Sequence, residues 1–196
     1  MKILALELSS PVGSVVFCDG DETQIARQFP ADRKHSGDFY DSLSALHQNC
    51  GAPEMIVVGL GPGSYAGVRI AIATALGLKA ATGARLLGFP SICAIDCAEY
   101  IVIGDARRST FFFAHVLRGR CEEGPSLATE EGVRAKLNEW HHLPLMASQP
   151  LPQFKTTLAH PSAMVLAQLA KEADPETETQ LEPIYLREPY ITMPKR

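Results

Sequence analysis

Gly59-Leu60-Gly61-Pro62-Gly63-Ser64-Tyr65-Ala66-Gly67-Val68-Arg69 joins an apolar strand to a long, almost uncharged helix through a glycine-rich turn. Upstream, 55–58 is a short run of Met, Ile and Val with the character of a buried strand. Downstream, 65–82 is apolar or small at nearly every position except Arg69 and Lys79. Pro62 blocks continuation of the strand, Gly61 and Gly63 permit backbone angles that a β-carbon resists, and Ser64 is placed to cap the helix. The expected order is strand, rigid turn, helix.

Three readings of this stretch compete. An anion could sit at the helix N-terminus, where free N–H groups and the macrodipole favour negative charge. A dinucleotide could use Gly61-x-Gly63-x-x-Ala66, but that motif wants an acid about 20 residues on, at the end of the next strand. Leu87-Gly88-Phe89-Pro90 supplies none, and no Gly-Lys-Ser/Thr marks a nucleoside-triphosphate loop. A tight turn with no ligand satisfies the same residues. The third reading concerns the helix. At about 3.6 residues per turn, Val68, Ile72 and Leu76 form a large-residue stripe, and Ala66, Ile70, Ala73, Gly77 and Ala81 a mostly small one on a separate side. A helix apolar all round is covered on both sides, either by its own chain or by a second one.

Working outward, 2–8, 13–18 and 23–29 read as a meander of strands separated by Pro-Val-Gly and Asp-Gly-Asp turns. Ser36 caps a helix over 36–50 with Phe39, Leu43, Leu46 and Cys50 on one face, stopped by Gly51 with Pro53 just beyond. Strand 55–60, helix 65–82 and strand 85–89 complete a β-β-β-α-β-α-β order, followed by a short helix near 91–98. Strands 100–105 and 110–117 open a second unit, with helices over 130–140 and 161–173, a polar stretch and a proline-punctuated tail. The spacing places a lobe over 1–98 and a second lobe over 99–196, too short for a full set of strands and helices.

These segments resemble the TsaB (YeaZ) family of bacterial tRNA threonylcarbamoylation, whose pattern is G-x-GPGSFTG-x-R before a helix rich in alanine and glycine. Ile3-Leu4-Ala5-Leu6-Glu7-Leu8-Ser9-Ser10, His35-Ser36, Asp105-Ala106-Arg107-Arg108 and Pro183-Ile184-Tyr185-Leu186-Arg187 match further family segments in order. Glu7 stands where the family usually has aspartate, and Tyr65-Ala66 replaces its Phe-Thr. The resemblance implies an α/β actin-like ATPase (ASKHA, ribonuclease H-like) fold of two lobes, the C-terminal one shortened. It implies a non-catalytic partner subunit, without a cofactor or metal of its own, that stabilises a TsaD-like catalytic subunit. Together with a TsaE-like ATPase, that subunit forms the threonylcarbamoyl group on the adenosine next to the anticodon of ANN-decoding tRNAs, and tRNA is met only within the complex. Partner contacts, or a homodimer, are expected at Phe39, Leu43, Ala66, Ile70, Ala73 and Gly77. Gly61, Pro62, Gly63, Ser64, Gly67 and Arg69 form the motif turn, and Glu7, Ser9 and Ser10 a vestigial nucleotide site.

An active ATP-dependent kinase of this fold, or a nucleotide-sensing homodimer, is the alternative. Such enzymes surround phosphates with N–H groups from two loops while a carboxylate orients metal and water. Glu7-Leu8-Ser9-Ser10 is an imperfect first loop, and Asp105-Ala106-Arg107 lacks the glycine of the second.

The 196 residues are 46% hydrophobic and 20% charged with net charge -4, which excludes an autonomous nucleic-acid surface, with Arg107-Arg108 and Arg118/Arg120 the clearest arginine pairs. The N-terminus has no signal-peptide pattern and no run reaches the ~18 apolar residues of a membrane helix, so a cytoplasmic protein is expected. The five cysteines follow no zinc or redox spacing, and the six histidines offer no i, i+4 pair for zinc. Glu122-Glu123 and Glu130-Glu131 sit in a polar region without the marks of paired catalytic acids.

Overall fold

A computed structural model describes residues 1–31, 36–174 and 177–187, with the side chains of Gln24, Ser36 and 47–49 left aside. His35 lies outside the described residues. β1 (Lys2–Glu7) is the middle of a five-stranded sheet in the order β3-β2-β1-β4-β5. β2 (Val12–Asp19) and β3 (Glu22–Pro30) continue it as an antiparallel meander, while β4 (Met55–Gly59) and β5 (Arg85–Phe89) run parallel to β1. The crossovers are α1 (Ser36–Asn49) and α2 (Tyr65–Thr82). A meander followed by parallel strands in this order is the sheet of the actin-like, ribonuclease H-like fold.

Alternation along β1 assigns the two faces of the sheet. Leu4 and Leu6 join Phe39 and Leu46 of α1 and Val68 and Ile72 of α2 in one core. Ile3 and Ala5, with Met55 and Val57, pack instead against Ala163, Leu166, Ala167 and Ala170 of α4 (Ala163–Glu172). The helix comes from the C-terminal half yet covers the back of the first sheet. It is anchored where the Ala163 amide donates to Ser14 Oγ at 2.9 Å and Ser162 to the Ala94 carbonyl at 2.8 Å.

The second sheet has the order β10-β9-β6-β7-β8, built from β6 (Glu99–Asp105), β7 (Thr110–Leu117), β8 (Arg120–Thr129), β9 (Leu145–Ala147) and β10 (Thr157–Leu158). α3 (Glu130–Glu139), capped by Thr129, places Val133 on one face against Ile101, Ile103, Phe111 and Phe113. The other face meets Ile92, Cys93 and Ile95 of the connection between the sheets, where the Tyr100 hydroxyl donates to the Ile92 carbonyl at 2.6 Å. Burial pushes the Cys93 thiol up to about 12, so it is an inert packing group.

Three strands of this lobe exceed the sequence expectation. β8 contains Glu122, Glu123, Gly124 and Pro125 and buries none of its side chains fully, so no apolar alternation marks it; it pairs only with β7 at the sheet edge. β9 and β10 are too short to carry a pattern. The helix expected over 91–98 is a single 3-10 turn at Ser91–Cys93. No helix among the described residues is long and apolar enough to cross a membrane.

α2 corrects one expectation of the stripe analysis. Val68, Ala71, Ile72 and Ala75 are its buried residues, and Leu76 is 49% exposed. Eight residues beyond Val68 is about 80° further round the helix, so Leu76 leaves the arc that Val68 and Ile72 occupy, and Ala75 takes its place. Leu76 joins the small residues Ala66, Ala73, Gly77, Ala80 and Ala81, all exposed, on the outward side. A Cβ added at Gly77 would meet nothing within 4 Å.

Candidate functional site

The segments that carry the motifs are far apart in sequence and meet at one cleft of about 1300 Å³ between the lobes. Leu8–Pro11 and the 60–70 turn line one side, the 104–108 turn the other, and 183–187 closes one edge. The end of β1 presses onto the motif turn. Glu7 Oε2 lies where a Cβ on Gly59 would stand, at 1.7 Å; a Cβ on Gly63 would be 2.2 Å from the Ser9 carbonyl oxygen, and one on Gly67 2.0 Å from that of Leu8. Gly61 alone of these has a positive φ, +87°. The expectation that Gly63 serves by its backbone angle is therefore corrected: it serves by leaving room. That is close packing of two backbones, which a glycine spacing alone cannot reveal.

Hydrogen bonds complete the clamp. The Ser64 amide donates to the Ser9 carbonyl at 2.7 Å, and Ser64 Oγ accepts from Gly67 N at 3.2 Å as the N-cap of α2. Ser91 bridges from behind, its Oγ accepting from Gly61 N at 2.9 Å and its amide donating to the Gly61 carbonyl at 2.7 Å. Ser10 Oγ donates to the Val12 carbonyl at 2.7 Å.

Glu7 is 0% exposed and stands behind the lining of the cleft. Its Oε1 accepts from the Ser9 amide at 2.6 Å, while Oε2 is buried with no hydrogen-bond partner. Burial raises its pKa above the usual carboxylate range, against the opposing pull of the hydrogen bond from Ser9. Ser9 and Ser10 line the cleft but are themselves buried. The three residues of the expected vestigial nucleotide site thus form the turn's foundation, and the carboxylate is turned toward Gly59.

Across the cleft, Arg107, Arg108 and Ser109 all have positive φ, 67°, 54° and 56°, without a glycine among them. Asp105 Oδ1 accepts from the Arg107 amide at 2.7 Å, and Thr110 Oγ1 donates to the Arg107 carbonyl at 2.7 Å. The tail then straps the lobes together. Thr179 N donates to the Leu86 carbonyl and Ile184 N to that of Leu60, each at 2.8 Å, Leu181 enters the core under α2, Tyr185 stacks on Tyr65 with centroids 5.4 Å apart, and Arg187 donates to Thr110 Oγ1. Sequence reasoning singled out the 183–187 segment only by resemblance, because its contacts are with residues about a hundred positions away.

Of the residues expected at a partner surface, Ala66, Ala73 and Gly77 are exposed on α2, and Ile70 and Leu43 are half-buried. Phe39 is corrected. It is 3% exposed and packs with Phe29 at 6.1 Å, so its ring belongs to the monomer's core.

No family model matches the chain, and no curated protein matches it. Solved structures do. An uncharacterized protein with similarity to peptidase YeaZ from Pseudomonas aeruginosa superposes with TM-score 0.76 at 22% identity, over 95% of this chain and 99% of its own. YeaZ from Pseudomonas aeruginosa superposes with TM-score 0.67 at 20% identity, over 94% of this chain and 99% of its own. Likeness at these identities is likeness of fold, and it extends over both lobes. The chain has the YeaZ fold, a two-lobed α/β architecture of the actin-like class.

Proposed function

We infer that this chain is a non-catalytic subunit of the TsaB (YeaZ) type, which holds a larger actin-fold subunit of the TsaD type in its active arrangement. That subunit, with a TsaE-type ATPase, adds threonylcarbamoyl to the adenosine next to the anticodon of ANN-decoding tRNAs. The observation that carries the reading is the outward side of α2, where Ala66, Ala73, Leu76, Gly77 and Ala80 are exposed together. Small residues at helical spacing let a second helix backbone approach closely, and Leu76 supplies apolar area for it to cover. The full-length likeness to YeaZ and the convergence of the motif segments support the same reading.

The kinase alternative asks Glu7 to orient metal and water in the cleft. Its carboxyl instead points toward Gly59 and is closed off by Ser9 and the motif turn. Reconstitution tests the reading: threonylcarbamoyl transfer by the larger subunit should depend on adding this chain, and this chain alone should turn over no ATP. Transfer indifferent to the chain, or ATP turnover by the purified chain that disappears in Glu7→Gln, would overturn it.

A further inference from the structure

The second sheet ends on an open edge. β10 lies outermost in the order β10-β9-β6-β7-β8 and meets only β9, to which it runs parallel. Ala159 N donates to the Ala147 carbonyl at 2.9 Å, so by the alternation of a parallel ladder Leu158 turns its own N–H and carbonyl away from β9. Leu158 shares register with Ala147, which belongs to the core on the α3 side of the sheet. Its side chain therefore stands on that side as well, 57% exposed.

Beside it the loop over 150–156 shapes a cavity of about 280 Å³, lined by Pro150, Leu151, Pro152, Phe154, Thr156 and Leu158. Small-molecule sites span roughly 300–1,000 Å³ and carry a few convergent polar groups. This cavity is smaller and has Thr156 as its one polar side chain, so it fits a single apolar side chain rather than a cofactor. Its floor is fixed in advance. Leu151 and Phe154 are buried, the Phe154 ring meets Phe111 edge-on at 5.1 Å, and the Phe154 amide donates to the Leu151 carbonyl at 2.9 Å. Arg134 braces the loop, donating to the Gln153 carbonyl with its guanidinium 5.0 Å from the Phe154 ring centroid.

The edge and the cavity are in register. A strand added to β10 would pair with the outward N–H and carbonyl of Leu158, and its residue opposite Leu158 would project to the same side of the sheet, where the cavity lies. Charge selects among such strands. Lys155 is the only charged residue between 150 and 158, and it is exposed with no ion-pair partner among the described residues. Arg134, by contrast, is already paired with Glu130 at 2.7 Å. We propose that this edge docks an extended peptide of a partner protein, with one apolar side chain in the cavity and an acidic side chain at Lys155. The site is separate from the cleft and from α2, and it does not rest on the reading of either.

Titration calorimetry on the purified chain tests it with a capped heptapeptide that has a central leucine, threonines on both sides and an aspartate at each end. The sequence is symmetric, so it can be read in either strand direction. It should bind with Kd below about 1 mM. Replacing the leucine by alanine should weaken binding about tenfold, because the cavity is left unfilled. N-methylation of the leucine should weaken it about fivefold, because the amide that meets the Leu158 carbonyl is lost. Lysines in place of the aspartates should weaken it about threefold, and in Lys155→Glu the order of these two probes should invert. Thr156→Arg, which sets a long side chain in the cavity, should abolish binding with an unchanged melting transition; if that variant melts early, the inversion in Lys155→Glu, at an exposed position, decides alone. No binding of the leucine probe below about 1 mM, equal binding of the leucine and alanine probes, or no inversion in Lys155→Glu overturns the proposal. So does a concentration-dependent dimer of the chain alone, in sedimentation equilibrium, that Thr156→Arg dissolves, since a second copy would then occupy the edge.

Discussion

At the residue scale the motif glycines are explained by what touches them. Gly59, Gly63 and Gly67, four residues apart, leave room for Glu7, Ser9 and Leu8 in turn. Gly59→Ala would drive a methyl into Glu7 Oε2, and overpacking of this kind costs about 1–3 kcal/mol or more. The melting temperature should fall, and the double variant with Glu7→Ala should recover part of the loss; additive losses would mean that the two residues do not oppose each other. Glu7 also makes a pH-dependent contribution. Because burial raises its native pKa above the unfolded value, the native state binds the proton more tightly, and stability declines as pH rises through the interval between the two. Glu7→Gln keeps an acceptor for the Ser9 amide and has no proton to lose. Its stability advantage over the parent should grow from the ordinary carboxylate value upward and vanish below it, in denaturant melts across that range; a constant difference at all pH values would contradict the assignment.

At the element scale, the strands and helices with a strong period were legible in the sequence, and those held by distant partners were not. β1 to β5, α1 and α2 show in their apolar alternation and caps, since local burial dictates them. β8 lacks that signal, as Glu122 and Glu123 sit on an edge strand whose order comes from its ladder to β7. The tail at 179–187 bonds to Leu86 and Leu60, contacts that no local pattern encodes. The motif turn was readable as strand, turn and helix, while its role as a seat for the end of β1 required the fold. On α2 the two stripes were visible, but their boundary was misplaced by one residue type: Leu76 lies outside and Ala75 inside. Val68→Arg should therefore unfold the monomer, since it buries an unpaired charge under the sheet. Leu76→Arg should shift stability by no more than about 0.5 kcal/mol, as surface changes do. Comparable losses in urea melts of the two variants would place Leu76 back in the core.

At the scale of the whole molecule, two sheets with helices between and around them are joined twice. α4 returns from the C-terminal half to the back of the first sheet, and the tail crosses its edge to reach the second lobe at Thr110. Leu181 pins that strap in the core beneath α2. Leu181→Ala should cost about 2–5 kcal/mol, as buried leucine truncations do, and should loosen the stack of Tyr185 on Tyr65. Hydrogen exchange at Ile184 should speed up in this variant; unchanged protection there would mean that the strap is held by other contacts.

We infer that this chain works by docking through the outward side of α2. Ala73→Arg tests it most directly, measured by sedimentation velocity with the larger actin-fold subunit alongside a melting curve of the chain alone. Ala73 is exposed in the free chain, so the arginine can reach water there, whereas in a helix-to-helix contact it would be an unpaired buried charge. The variant should keep the parent's melting transition and sediment as a free chain beside a parent that forms the complex. A variant that still co-sediments with the larger subunit, or that melts as early as Val68→Arg, would contradict the claim.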